Sequence, residues 1–282
     1  MVIDAHTHIF PPEVISDRER FFEGEPNFQL LYGSPKSRMA GVRDLIDSMD
    51  ENKIDCSVVF GFPWNSEKHT IRHNEYVLES TARYPHRLIP LACLDLFSEN
   101  CISQARDMLQ RGAAGFGELA IYSAAGQLGF ALENFEKLGG LCRERNCALL
   151  VHANEPLGHM YPGKAPFGLE FYYSMARSAA GVGLIMAHWG GGILFYELLK
   201  KEAPETLSNV YYDTAASPYL YKSGIYPAAL GIVGENRIIF GSDYPLLSPK
   251  RYFDEMKASG LTESQIRAIS GDNAARLFRL QS

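Results

Sequence analysis

Short, continuously apolar, β-rich runs recur along the chain at intervals of roughly 30 to 40 residues, each followed by a stretch with helical periodicity. Eight such runs are present, at residues 2–5, 56–60, 88–93, 113–117, 147–151, 182–187, 209–212 and 237–240. The intervening helices are expected at 43–52, 74–84, 100–110, 130–145, 169–180, 193–202, 219–233 and 249–258. Runs such as CSVVF, CALLV, VGLIMA and RIIF do not alternate with polar residues, as expected of parallel strands buried on both faces. Eight strand and helix units in strict alternation predict a closed (β/α)8 TIM barrel, because each parallel crossover uses one helix. An open doubly wound sheet would carry a Gly-rich phosphate loop after its first strand, and that position reads HTHIFPPE instead. Residues 11–40 form a polar and aromatic insertion after the first strand, expected to cover the active site. At the other end, LTESQIRAISGDNAARLF predicts a C-terminal helical extension, with Thr262 and Gln265 spaced as a capping box. With no repeat or linker, residues 1–282 are expected to form a single domain.

Composition narrows the function classes. At 46% hydrophobic and 21% charged residues the chain has ample material for a core and lacks the signature of disorder. The balance of 27 basic against 33 acidic residues, without a basic run, gives no expectation of a nucleic-acid partner. No apolar stretch is long enough to span a bilayer and MVIDAHTHIF is not a leader pattern, so no membrane association and a cytoplasmic location are expected. The five cysteines are an odd set without a Cys-x-x-Cys pair, which predicts reduced, mostly buried thiols rather than a disulfide framework or a thiolate zinc knuckle.

In a barrel of this kind the residues just past the C-terminal strand ends share one mouth. Those positions hold His6 and His8 after the first strand, Glu118 after the fourth, His152 after the fifth, His188 after the sixth and Asp243 after the eighth. Imidazoles and carboxylates together are the donor set of Zn²⁺ and neighbouring divalent ions. In an extended strand His6 and His8 face one side, so both can reach one ion, with Thr7 turned outward. A lone His-x-His is weak evidence; the four further strand-end donors give it weight. His69 and His73 are one helical turn apart in HTIRH but lack the Glu of a metalloprotease helix, and are read as mouth or solvent-facing residues. Gly190, Gly191 and Gly192 lack the Lys and Ser/Thr of a phosphate loop and are read as letting the backbone approach the metal site closely. The aromatic residues Phe62, Trp64, Tyr122, Trp189 and Tyr244 are expected in the pocket wall. Of these, Trp189 and Tyr244 are singled out as substrate-binding because each adjoins a proposed site residue. Lys36, Arg38, Lys68 and Arg72 are the cations available to anchor an acidic substrate.

The segments DAHTHIF, YPHRLIPLACLDL, GFGELAIY, HANEP, AHWGGG, FGSDYP and GDNAARLF together resemble the amidohydrolase superfamily. Within it they are similar to the amidohydrolase-related branch that includes aminocarboxymuconate-semialdehyde decarboxylase and lactone hydrolases, and the resemblance spans essentially the whole chain. It implies a metal held by His6, His8, His152 and Asp243, with His188 close to the reacting water. Glu118 departs from the decarboxylase pattern. It stands where the TatD-type deoxyribonuclease branch carries a carboxylate ligand and other members a carbamylated lysine, which suggests a two-metal or five-ligand site; the alternative is an acceptor that orients a ligand histidine.

The expectation is therefore a metal-dependent hydrolase that directs an activated water at an ester, lactone or amide carbonyl of a small molecule. Asp243 would be ligand and general base, and His188 would bind the metal or the developing oxyanion. The cofactor is expected to be one or two divalent ions, Zn²⁺ ahead of Mn²⁺ or Co²⁺. The alternative is a non-oxidative decarboxylase acting on an aromatic or unsaturated carboxylic acid. A non-catalytic metal-keeping protein is a third class, disfavoured because structural zinc sites are closed whereas a barrel mouth is open. The family resemblance also implies a homodimer.

Overall fold

The computed structural model describes residues 1–122 and 128–280. Eight strands are present among the described residues: β1 (Ile3–His8), β2 (Cys56–Phe60), β3 (Leu88–Pro90), β4 (Gly115–Leu119), β5 (Ala148–Val151), β6 (Leu184–Met186), β7 (Val210–Asp213) and β8 (Ile238–Ile239). The order is β1-β2-β3 in one sheet and β4-β5-β6-β7-β8 in the other, and every pairing within them is parallel. Backbone hydrogen bonds close both seams. At one, Ala114 N–H donates to Pro90 O (2.8 Å) and Gly117 N–H to Ala92 O (3.0 Å); at the other, Ala5 N–H donates to Phe240 O (2.8 Å) and His8 N–H to Tyr244 O (2.8 Å). The two sheets thus form one ring, the (β/α)8 barrel that the alternation predicts.

The apolar runs are continuous because both strand faces are covered. Ile3, Val58, Ile89, Leu150, Ile185 and Ile239 fill the barrel interior, while Val59, Leu88, Phe116, Leu149 and Leu184 pack outward among the helices. Alternation alone would not bring the polar residues to the mouth. Ile3 and Ala5 already face inward, and the register of β1 against β2 shifts between Asp4 and Thr7, which lets His6 and His8 follow on the same side. A second shift, between Phe116 and Leu119 in β4, accompanies the placement of Glu118.

Residues 11–40 fold into three short helices, Pro12–Ser16, Arg18–Phe21 and Pro26–Tyr32. They carry a small core of their own, in which Phe10, Val14 and Phe28 pack with Phe62 and Trp64 from the segment after β2. The Glu25 carboxylate, almost fully buried, accepts from Asn65 N–H (2.9 Å) and Ser66 N–H (2.7 Å) and ties the insertion to the start of the next helix. That helix, Glu67–Arg83, begins earlier than the expected residue 74 because Ser66 caps it, its hydroxyl accepting from His69 N–H. The helix expected at 193–202 is broken into Ile193–Phe195, Tyr196–Leu199 and Ala203–Thr206, and that at 219–233 into Ser217–Leu220 and Ile225–Val233. At the C-terminus the Thr262 and Gln265 capping box is formed, and Ala274 and Leu277 pack against the interior residues at the foot of the barrel. No helix of the described residues is long and apolar enough to cross a membrane.

Candidate metal centre

The six strand-end residues meet at the mouth. His6 Nε2 lies 3.9 Å from Glu118 Oε2 and 3.6 Å from Asp243 Oδ1. His8 Nε2 lies 3.7 and 3.5 Å from the same two oxygens. The other Glu118 oxygen, Oε1, is 3.0 Å from His152 Nδ1 and 3.8 Å from His188 Nε2. Glu118 therefore stands between two groups of donors and presents one oxygen to each.

Three of the imidazoles are oriented from behind. His6 Nδ1–H donates to Asp213 Oδ2 (2.9 Å), His8 Nδ1–H to Gly61 O (3.0 Å) and His188 Nδ1–H to Ala215 O (3.0 Å), tautomers that leave each Nε2 lone pair aimed at the cluster. Asp213, fully buried at the end of β7, also accepts from His188 N–H (2.8 Å). It holds two of the donors at once, and the sequence reading passed over it because it ends an otherwise apolar strand. Asp243 is placed from the residue before it: Ser242 donates its N–H (2.9 Å) and its hydroxyl (2.5 Å) to the buried Asp4 carboxylate.

The residues fit a divalent cation. His6 Nε2 is buried without a hydrogen-bond partner, although its ring is fixed through Nδ1. Two donors at about 2.0–2.1 Å from one tetrahedral ion lie roughly 3.4 Å apart, close to the 3.5–3.9 Å spacings of His6, His8, Glu118 and Asp243. Charge points the same way. Burial opposes a proton on His6, yet the Asp213 and Glu118 carboxylates override it and lift the imidazole to about 10. Burial would raise Glu118, but His152 and His6 hold it down at about 2, and Asp243 is likewise drawn below the usual carboxylate range by His8 and His6. The cluster is thus a concentration of buried negative charge that gathers positive charge, from protons or from a cation.

Above the cluster lies a cavity of about 520 Å³. His8, Glu118, His152, His188 and Asp243 form its floor, and Tyr32, Phe62, Tyr122, Tyr161 and Tyr219 contribute to its walls. Lys36 and Arg38 of the insertion also line it, whereas Arg72 is paired with Glu13 (2.9 Å) and Lys68 borders a separate surface groove. The expectation that Trp189 and Tyr244 bind substrate is corrected. Trp189 is fully buried, with its indole N–H donating to Ser217 Oγ (3.0 Å), and Tyr244 turns away so that its hydroxyl donates to Asp44 O (3.0 Å). Neighbours of a site residue point elsewhere when the chain turns there, and His188, Trp189 and Asp243 all have left-handed backbone. His73 is also corrected, being buried with both ring nitrogens engaged by protein groups. Tyr32, Tyr161 and Tyr219 were missed because they sit in cover segments whose path only the folded chain defines.

A family model described as amidohydrolase matches residues 3–280. Among solved structures, the chain is similar to 5-carboxyvanillate decarboxylase from Sphingomonas paucimobilis, with a TM-score of 0.76 at 15% identity over 99% of each chain. It is similar also to a Pseudomonas putida protein carrying the name 2-pyrone-4,6-dicarboxylic acid hydrolase, with a TM-score of 0.70 at 15% identity over 100% of this chain and 98% of that one. A third is a dihydroxybenzoic acid decarboxylase from Polaromonas with bound manganese, with a TM-score of 0.70 at 18% identity over 99% of this chain and 97% of that one. At these identities the likeness to each structure is one of fold. Among curated proteins, no sequence relative matches the chain.

Proposed function

Because the chain belongs to the amidohydrolase family, whose metal-dependent enzymes share this barrel, we propose that it is a hydrolase acting on an ester, lactone or amide of a small carboxylated molecule. Glu118 carries this reading. Its two oxygens face different imidazoles, Oε2 toward His6 and His8 and Oε1 toward His152 and His188, and with Asp243 beside His6, His8 and His188 these six residues would offer more donors than one tetrahedral ion needs. Zn²⁺ suits this mixed imidazole and carboxylate set, with Mn²⁺ and Co²⁺ as alternatives. When bound, a divalent cation supplies a Lewis acid that polarises a carbonyl and acidifies water.

The chain's own groups then have defined tasks. Asp243 is held ionised, against its burial, by His8 and His6, and its position on the cavity floor lets it accept a proton from water and return it to the leaving group. His188 is kept neutral by burial and by His152, and with Nδ1–H committed to Ala215 O its Nε2 offers a lone pair rather than a proton. Proton donors to a developing oxyanion come instead from the wall. Burial and the Asp243 and Glu118 carboxylates keep the Tyr32 hydroxyl protonated, and burial with Glu118 does the same for Tyr122. Lys36 and Arg38 supply positive charge for a substrate carboxylate.

The cations and aromatic walls also favour a second reading, decarboxylation of an aromatic or unsaturated carboxylic acid, the kind of reaction named for two of the structural relatives. One set of assays separates them. Metal-replete protein is tested against carboxylated lactones, esters and amides, and for carbon dioxide release from aromatic carboxylates, alongside metal analysis of wild type and Glu118→Ala. Hydrolysis, with loss of about one ion per chain in the variant, is the expected result. Carbon dioxide release with an unchanged metal content overturns the hydrolytic reading in favour of the second.

A further inference from the structure

The thiols of Cys142 and Cys147 lie 3.2 Å apart, sulfur to sulfur, at the foot of the barrel. Their closeness follows from how the helix Leu128–Arg145 ends. Asn146 takes a left-handed conformation (φ 54°) and Cys147 N–H donates back to Cys142 O (3.1 Å), the six-to-one bond of a Schellman stop. That motif brings the side chains at its first and sixth positions into contact, usually as an apolar pair; here both are cysteines. Cys142 is buried and Cys147 half-buried, so Cys147 is the residue of the pair that is open to solvent. Arg143 and Arg145 lie between the two cysteines in sequence.

From this geometry we infer that Cys142 and Cys147 are a reversible dithiol site, closed to a disulfide by a small disulfide oxidant such as oxidised glutathione. Cys147 is the attacking sulfur. It is the more exposed of the two, and the hydrogen bond from the Cys142 thiol, aided by Arg145, draws its pKa below the ordinary thiol value, while the Cys142 thiol is pushed up by the same contact and by burial. In the first step the Cys147 thiolate bonds to one glutathione sulfur, the glutathione disulfide breaks, and the departing thiolate takes up a proton. In the second the Cys142 sulfur, giving up its proton, bonds to Cys147 and expels the other glutathione as a thiol. Two protein thiols are oxidised and one glutathione disulfide is reduced to two thiols. Closure brings the sulfurs from 3.2 Å to the bonded separation of about 2.05 Å.

The site is separate from the metal cluster. Cys147 precedes β5 at the bottom of the barrel, whereas His152 follows β5 at the mouth. Oxidation is therefore expected to leave bound metal unchanged. The test is to equilibrate the full chain with oxidised glutathione, trap free thiols by alkylation and map the peptides. Near-complete loss of alkylation at Cys142 and Cys147, a linked peptide lacking two hydrogens, full alkylation of Cys93 and Cys101 after unfolding, and reversal by a dithiol reductant are the expected results. Cys142→Ser should arrest Cys147 as the mixed glutathione disulfide, and Cys147→Ser should leave Cys142 alkylatable. Thermal melts of both variants establish that each is folded when tested. Wild-type protein that stays fully alkylatable, or that stops at glutathionylated Cys147 without closing, would overturn the inference.

Discussion

His73 sits on the helix Glu67–Arg83 with its Nε2–H donating to Ile9 O (2.6 Å) and its Nδ1 accepting from the Trp64 indole (2.9 Å). It also packs against Gly61, where a Cβ would meet the ring at 2.7 Å, and the Gly61 carbonyl orients His8. One buried imidazole thus holds the two segments that leave β1 and β2 toward the mouth. Burial pushes it down from its ordinary 6.5 to about 4. Above pH 6.5 the ring is neutral folded and unfolded, and as pH falls from 6.5 toward 4 only the unfolded chain takes the proton, so stability is lost across that window. The displacement corresponds to roughly 3 kcal/mol at most. His73→Gln should be less stable near neutrality but lose less further stability on acidification, as read by denaturant unfolding at several pH values; parallel curves for the two proteins would refute the assignment. The HTIRH spacing showed a helical pair in the sequence. Whether such a histidine faces solvent, a metal or the protein depends on partners tens of residues away, which spacing does not contain.

The turn after β6 shows the same limit for an element. His188 (φ 57°, ψ 46°) and Trp189 (φ 59°, ψ 25°) are followed by Gly190, Gly191 and Gly192 at φ 61°, 61° and 91°, five consecutive left-handed residues. For each of the two non-glycine residues this conformation costs about 1–2 kcal/mol. The bonds of His188 to Asp213 and Ala215 and of Trp189 to Ser217 offset it. The turn carries His188 into the cluster and Trp189 away from it, which is why adjacency misled the reading of Trp189. The glycine run is a place of close approach at Gly191, but to the Asn154 backbone rather than to the metal cluster. A Cβ on Gly191 would overlap the Asn154 carbonyl, whereas on Gly192 its nearest contacts lie at 3.7 Å. Gly191→Ala is therefore expected to destabilise by backbone strain plus overlap, roughly 1–3 kcal/mol beyond strain alone, and Gly192→Ala by strain alone. Chemical denaturation of both variants provides the check, and equal losses would show that close packing on Asn154 is not the constraint.

At the scale of the whole molecule the barrel was legible because eight buried parallel strands leave eight apolar runs, and the mouth was legible because His and carboxylate residues follow those runs. The cover was legible only as an insertion: its helices, its Glu25 tie and the placing of its Tyr32 on the cavity wall depend on contacts between segments far apart in sequence. Folding this barrel also gathers Glu118, Asp243 and Asp213 around four imidazoles, so site and stability are linked. With the cluster alone, a proton retained on His6 up to about 10 offsets part of that charge; a divalent cation bound by the same Nε2 must displace it. A cation that binds the folded chain and not the unfolded one stabilises by mass action, about 2.7 kcal/mol at a hundredfold excess over its dissociation constant. For a chain of 282 residues that is a rise in Tm of about 5 °C. Chelator-treated protein should accordingly melt lower and regain the difference on addition of Zn²⁺ or Mn²⁺. In Asp213→Asn, where His6 loses its carboxylate partner, the same rise should need about 10- to 100-fold more metal. A wild-type melting curve indifferent to chelator and to both metals would mean that the cluster is held by protons and hydrogen bonds alone.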